Sequence, residues 1–573
     1  MDKIWLENYP EGVPKEIEIP DIDVGGMLEE TARKYPGNTA INFINKNITY
    51  RDLDLESNRF ANALKKLGVG KGDRVALLMP NIPQLVIAFY GTLKAGAVVV
   101  MFNPLYSSRE IEHQLNDSEA RVMVMLDRFW PDVSKALDSA KLEQLIITHI
   151  RDYLKFPLNI LEPLQEKIKH EYVDIEKQPS KLGLQGMHEI KDLLADAGDD
   201  KPRVEINPAE DLALLQYTGG TTGVAKGAML THRNLVANTL QCRAWFPQAR
   251  EGQEVTLCSL PFFHVYGLTV DMNSGIQMGS KLVLMPDPRD MHLIRAAIKK
   301  QRPTLFPGVP AMYIGLINDP DVQGGKMDIT SIRFCLSGAA PLPVEVQSEF
   351  ERLTGGKLVE GFGLTEASPV THANPLVGIR KQGSIGMPMP NTDVKLVGVD
   401  DRDQEVAVGE VGELVVRGPQ VMKGYWNMPE ETEMVLQDGW LYTGDIARAD
   451  EDGFFYIVDR KKDMIIASGY NVYPRDVEEV LFEHPKVADV AVAGVPDPKR
   501  GETVKAYIVL KEGETATPEE IIEFSRERMS KYKVPTLVEF RKELPKTMVG
   551  KVLRRELIEE EKKKLAEQNQ PDS

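Results

Sequence analysis

Between Tyr217 and Gly227 the chain reads YTGGTTGVAKG, with Gly219, Gly220 and Gly223 interleaved with Thr218, Thr221 and Thr222 and followed by Lys226. Glycine tolerates the unusual dihedrals that let successive backbone N–H groups curl round an anion, and threonine hydroxyls add donors. The loop is therefore suited to phosphate. It is not a Walker A loop, because Lys226 is followed by Gly227 instead of Ser or Thr, and GAMLTH after it reads as a strand. The helix N-terminus that strengthens a P-loop is thus missing. Standing alone, such a loop is equally an ordinary turn.

Other candidate groups sit in short Gly-containing segments. Glu366 closes EGFGLTE, Asp445 closes GWLYTGD, Lys551 closes PKTMVGK, and His264 lies in PFFHVYG. Taken singly each has a plain structural reading: a solvated carboxylate, a turn aspartate, a surface lysine and a satisfied histidine.

These segments need a scaffold, and the sequence supplies one. RVALLMP, IPQLVIAFYGTLKAG and AVVVMFNP alternate apolar strand, helix and apolar strand, which predicts an α/β architecture with buried sheets. The most apolar stretch, Leu85 to Phe102, is interrupted by Gly91, Lys94 and Gly96 and reads as a helix and a buried strand, not a membrane span. From Phe156 to Asp200 mixed charge predicts a surface insertion of helix and loop. After Asp445 the pattern shifts to short strands and Asp-Gly turns, then to YPRDVEEVLFEHP, VADVAVAGVP, VKAYIVL and PEEIIEFSRERMSKY, enough for a separate α+β domain. The boundary falls near Asp459 to Lys462, giving a large multi-lobed domain over 1–461 and a small mobile one over 462–573. The polar tail EEEKKKLAEQNQPDS is expected to fray.

The chain has 573 residues and a net charge of −17 from 69 Lys and Arg against 86 Asp and Glu. That balance argues against nucleic acid, so any anionic substrate needs a local site. Cys242, Cys258 and Cys335 form no CxxC pair and suit a reducing cytoplasm. The N-terminal segment lacks the apolar run of a secretory signal, so a cytoplasmic protein is expected. The apolar part of RDYLKFPLNIL suggests peripheral contact with the inner face of a membrane.

Taken together and in order, YTGGTTGVAKG, PFFHVYG, SGAAPL, EGFGLTE, GWLYTGD, DRKKDMIIASGYNVYP and PKTMVGK resemble the motifs of the acyl-adenylate-forming superfamily, which includes acyl-CoA synthetases, luciferase-type enzymes and peptide-synthetase adenylation domains. The resemblance covers most of the chain. It implies that a carboxylate attacks the α-phosphorus of ATP, that pyrophosphate leaves, and that the thiol of CoA takes the acyl group. On these motifs Gly338 and Ala339, with Glu360, Gly361, Phe362 and Gly363, would line the nucleotide and acyl site. Phe362 would stack on adenine, although relatives often carry Tyr there. Thr365 would bond a phosphate oxygen and Glu366 would hold Mg²⁺. Asp445 and Arg460 would hold the ribose. Lys551 would reach the α-phosphate and the attacking carboxylate, and His264 would gate or position substrate. The small domain would rotate about Lys462, after which Ser468, Gly469 and Tyr470 would line the pantetheine channel.

Acetate-type relatives carry a bulky aromatic at the position of Gly363, so glycine implies an open acyl pocket. The apolar TLFPGVPAMY and SGAAPL favour a fatty acid, and WLENYPEGVP and NPLYSSREIEHQLNDSEA resemble bacterial long-chain fatty-acid CoA ligases. Some of those gate the tunnel with Trp where this chain has Leu268. An aryl-acid ligase, or one loading a carrier protein, is the alternative within the enzyme class. A fatty-acyl-binding or uptake protein with a vestigial nucleotide site is the alternative outside it, and the joint retention of Lys226, Thr365, Glu366, Asp445, Arg460 and Lys551 argues against it.

Overall fold

A computed structural model describes residues 3–162, 173, 175, 179–218, 225–399, 401–461, 463–467, 470–497, 501–547 and 550–568. Its largest sheet has eight strands in the spatial order Gly424–Tyr425, Lys226–Thr231, Leu212–Thr218, Val98–Met101, Arg74–Leu78, Val122–Leu126, Gln144–Thr148 and Gly186–Glu189. From Leu212–Thr218 onward the neighbours are parallel, and Lys226–Thr231 runs antiparallel to Leu212–Thr218. A parallel sheet is covered on both faces, which is why VVVM at Val98–Met101 is wholly buried instead of alternating.

The helix predicted after RVALL spans Pro83–Lys94, and every one of its residues is buried. It lies against helix Tyr50–Lys66, and Gly91 permits the approach: a Cβ there would sit 2.8 Å from both the Phe60 ring and the Ser57 carbonyl oxygen. Lys94, at the end of this apolar helix, is buried but satisfied. Its ammonium donates to Asp54 at 2.5 Å, Ser57 at 2.9 Å and Asn58 at 2.8 Å, while burial lowers its pKa. Among the described residues no helix is long and apolar enough to cross a membrane.

Two smaller sheets continue the large unit. One has the order Val255–Cys258, Lys281–Leu284, Thr39–Phe43, Lys46–Thr49, and the other Phe334–Ser337, Lys357–Gly363, Val370–Ala373, Met387–Pro388. Leu305 bridges them, pairing with Thr256 on one side and Phe334 on the other. An antiparallel sheet follows, built from Asp393–Val397, Val411–Arg417, Trp440–Ala449 and Leu436–Gln437, with Phe455–Arg460 paired to Trp440–Ala449. The last sheet, Tyr470–Val472, Ile465–Ala467, Gly501–Leu510 and Val487–Asp497 with Leu537–Arg541, forms the small C-terminal unit with helices Pro474–Phe482, Pro518–Arg526 and Arg554–Gln568. All four elements predicted there from YPRDVEEVLFEHP to PEEIIEFSRERMSKY are present.

Two expectations need correction. The segment from Phe156 to Asp200 is not a surface excursion throughout: Gly186–Glu189 is the edge strand of the eight-stranded sheet, and helix Ile190–Asp196 packs on helix Tyr50–Lys66. Asn58 and Asn62 then hold the carbonyls of residues 198–200 at 2.8 to 3.0 Å. Mixed charge concealed this because an edge strand is only half buried and shows no strong alternation. The tail is likewise helical as far as Gln568, with Leu557 buried against the small sheet and Glu561 accepting from Lys505 at 2.7 Å, while residues 569–573 lie outside the described residues. Polar composition hid one inward stripe.

Candidate active site

Lys226 begins the antiparallel strand that returns from Leu212–Thr218, with Thr218 directly opposite it. Segment GAMLTH is a strand for most of its length, within Lys226–Thr231, as the sequence reading requires. Gly219, Gly220, Thr221, Thr222 and Gly223 themselves lie outside the described residues. Beside Lys226 runs the edge strand Gly424–Tyr425. The Lys226 ammonium is ion-paired with Glu431 and lies 5.3 Å from the centre of the Tyr425 ring. The Tyr425 hydroxyl donates to Glu366 Oε1 at 2.7 Å, and burial followed by the nearby carboxylate pushes that phenol well up. A phosphate-type lysine and a metal-type carboxylate, 140 positions apart in the chain, thereby share one aromatic neighbour.

Glu360, Gly361, Phe362 and Gly363 occupy the end of strand Lys357–Gly363, whose parallel neighbour places Ser337 beside Glu360. Gly338 and Ala339 follow at once. The Tyr266 ring covers Gly338, its hydroxyl donating to the carbonyls of Leu336 at 2.7 Å and Gly308 at 3.2 Å. Ala339 takes a φ of +66°, a left-handed conformation that costs a non-glycine residue energy and persists only where neighbours impose it. Glu360 is buried and accepts from the Leu342 amide at 3.3 Å, with the Arg475 guanidinium 4.0 Å away. Burial raises its pKa to about 7, against the pull of Arg475. Phe362 pairs across strands with His372, whose imidazole burial drives down to about 3. Thr365 opens the turn Thr365–Ala367 that presents Glu366.

Gly363 also meets a steric demand that the sequence reading did not include. A Cβ there would stand 2.3 Å from the Pro369 carbonyl oxygen and 3.1 Å from Val370 Cα. Close backbone approach thus demands glycine here, and a larger side chain would meet the main chain of Pro369 and Val370.

Asp445 is buried on strand Trp440–Ala449, and Arg460 is its direct antiparallel partner, so the two ribose candidates share one register position. His264 belongs to a loop tied to the large sheet by Gln216, whose amide donates to the Phe263 carbonyl at 2.8 Å. Its imidazole lies 4.7 Å from the Phe263 ring, and burial lowers its pKa to about 4. It is neutral at physiological pH.

Lys551 sits exposed on a reverse turn of the small unit. The Thr547 amide donates to the Lys551 carbonyl at 2.8 Å, and the Lys551 amide donates to Thr547 Oγ1 at 3.1 Å. The turn faces the large unit, where Val309 lies 3.8 Å from the position a Cβ on Gly550 would take. A hydrogen bond across the units runs from the Arg475 amide to Asp459 at 2.8 Å. Lys462, Ser468 and Gly469 lie outside the described residues, as do the side chains of Arg460 and Tyr470. Tyr425, Glu431, Arg475 and His372 were not anticipated. Their partners are distant in sequence, and only the Tyr and two Glu of KGYWNMPEET offered a signal.

The AMP-binding enzyme family matches residues 28–426, and the AMP-binding enzyme C-terminal domain matches 476–551. Over 560 residues the chain is 50% identical to a long-chain-fatty-acid–CoA ligase of Bacillus subtilis (strain 168), covering 98% of both proteins. Over 570 residues it is 42% identical to the ligase of the same name from Escherichia coli O157:H7, covering 99% of both. Among solved structures, an anthranilate CoA ligase in complex with anthranoyl-AMP superposes with a TM-score of 0.82 at 27% identity, over 96% of this chain and 99% of that one. The matches run through both units in chain order, and the chain accordingly belongs to the AMP-binding enzyme family.

Proposed function

We infer that this chain activates a long-chain fatty acid with ATP to the acyl-adenylate and transfers the acyl group to CoA, releasing AMP and pyrophosphate. The observation that carries the reading is the 50% identity, over 98% of both proteins, to a long-chain-fatty-acid–CoA ligase. In this reading Lys226, with the Thr218 to Gly223 loop, takes the β- and γ-phosphates, Phe362 stacks on adenine, and Asp445 and Arg460 hold the ribose. Thr365 bonds a phosphate oxygen. The units are 1–461 and 462–573, turning about Lys462.

A carboxylate is a poor electrophile, and two anions must meet at the α-phosphorus. Lys551, reaching across from the small unit, stabilises charge that develops only there. Among the described residues no three His, Cys, Asp or Glu side chains cluster to hold an ion. Mg²⁺ is commonly bound by one or two carboxylates plus substrate phosphates, and Glu366, with Tyr425 engaging its Oε1, fits that mode. When bound it would neutralise phosphate charge and ease departure of pyrophosphate. His264, neutral and beside Phe263, positions the acyl group and does not exchange protons. After adenylation the small unit carries Lys551 away and brings Ser468, Gly469 and Tyr470 to the pantetheine arm.

Phe156, Ile160 and Leu161 are exposed on one segment with Arg151 and Lys155, which supports peripheral contact with an anionic membrane. The functional test is acid-dependent pyrophosphate release across C2 to C18 and aryl acids, with and without CoA. Activity confined to aryl acids, or transfer only to a carrier protein, would overturn the reading.

A further inference from the structure

Lys226 is the candidate phosphate lysine, yet in this structure it already holds an anion. We propose that Glu431 is its resident counter-ion, a carboxylate that the terminal phosphates of the nucleotide must displace and that returns as pyrophosphate leaves. The proposal rests on the functional reading above and adds to it a residue that sets nucleotide affinity.

Glu431 stands on helix Pro429–Val435, which buries none of its residues. That helix is anchored beside Lys226 by Thr432, not by Glu431: Thr432 Oγ1 accepts from the Tyr425 amide at 2.9 Å and donates to the Met428 carbonyl at 2.8 Å. Tyr425 in turn is strand-paired with Ala228, two residues from Lys226. The backbone carrying Glu431 is therefore held near the lysine by bonds in which the Glu431 side chain takes no part.

The exposures of the pair are unequal. The Lys226 side chain is only 15% exposed, whereas that of Glu431 is 39% exposed. A half-buried ammonium awaiting a ligand is costly without a partner, and a carboxylate at the rim can supply one and then swing into solvent. A polyphosphate carries several charges against one and so wins the competition, but at an affinity lowered by the pair it breaks. Tyr425 extends the consequence to the metal candidate, because the ring beside Lys226 carries the hydroxyl that holds Glu366. Displacement of Glu431 frees Lys226 and removes a negative charge from beside the Tyr425 phenol that holds Glu366.

The test uses the full-length protein with Glu431→Gln and Glu431→Ala, each in the parent and in a Lys226→Gln background, titrated calorimetrically with inorganic pyrophosphate and with ATP and Mg²⁺. Both Glu431 variants should bind pyrophosphate about two- to fivefold more tightly, the range expected for a partly exposed ion pair. In steady state the KM for ATP should fall while kcat changes less, and the gain should vanish in the Lys226→Gln background. Unchanged or weaker pyrophosphate binding in both variants overturns the proposal, as does an equal gain without Lys226, which would indicate only a general change of field. Acid- and CoA-dependent AMP formation by the parent protein is measured alongside. Its absence removes the functional reading, while the binding cycle still decides the ion pair.

Discussion

The two halves of the candidate site are built in opposite ways. In the large unit Glu360 and Asp445 are buried on strands, Asp445 facing Arg460 across a ladder and Glu360 beside Ser337 in another. In the small unit Lys551 is exposed on a turn closed by its own backbone and by Thr547. Groups that must recognise a ligand gain from rigid placement, whereas a charge needed in one of two steps gains from mounting on a part that can leave. Under the proposed function, rigidity and mobility are divided between the units.

The largest effect should come from removing the mobile charge. Lys551→Ala should slow acid-dependent pyrophosphate release by about 10² to 10³, the worth of a donor aimed at developing charge. Thioester formation from supplied palmitoyl-adenylate and CoA should largely survive. If both rates fall together, the division of labour is wrong and Lys551 serves both steps or neither.

Next is the support beneath that turn. Arg554, three residues on, donates twice to Glu478 at 2.7 Å, donates to the Val492 carbonyl at 3.1 Å and lies 3.5 Å from Asp463 next to the proposed hinge. Arg554→Ala leaves the Glu478 carboxylate without its cation and should cost about 2 to 3 kcal/mol. Hydrogen exchange should quicken at Val490 to Ala493 while strand Lys357–Gly363 is unaffected. Equal loosening in both units would contradict their independence.

On the rigid side, Gly363→Ala should destabilise by roughly 1 to 3 kcal/mol, because its Cβ would press on the Pro369 carbonyl and the paired strand must shift. The check is the thermal midpoint together with chain-length preference. A variant as stable as the parent would show that the strand yields easily and would restore Gly363 as a simple pocket determinant.

The smallest effect is a pH dependence confined to the large sheet. His149 bonds Asp127 through Nδ1 and lies 3.1 Å from Glu189 through Nε2. Burial alone would lower its pKa, but the bonds to the two carboxylates outweigh it and raise the imidazole to about 9. A folded pKa above the unfolded value of about 6.5 means that the stabilisation is complete below pH 6.5 and is lost as pH rises through about 9. Its size should be on the order of 1 to 2 kcal/mol once partial exposure is allowed for. The gap in thermal midpoint between parent and His149→Gln should narrow from pH 6 to pH 10. Parallel curves would mean that the ring stays neutral.

Much of this molecule was legible in one dimension. Apolar runs such as VVVM and the Gly-punctuated helix PQLVIAFYGTLK determine the buried parallel sheet, because a segment covered on both faces has little choice of composition. The ordered motifs determine the family, since each packs its chemistry into fewer than twenty consecutive residues. The edge strand Gly186–Glu189 and the terminal helix were obscured because each buries only one narrow stripe, and that signal is faint against polar neighbours. Only tertiary structure decided that Tyr425 joins Lys226 to Glu366, that Glu431 occupies the lysine, that Arg475 reaches Glu360 across the two units, and that the Pro369 carbonyl leaves no room for a Cβ at Gly363. These are contacts between residues far apart in the chain or across a strand pair, where sterics and charge pairing act through space, and no local pattern encodes which distant atom will arrive.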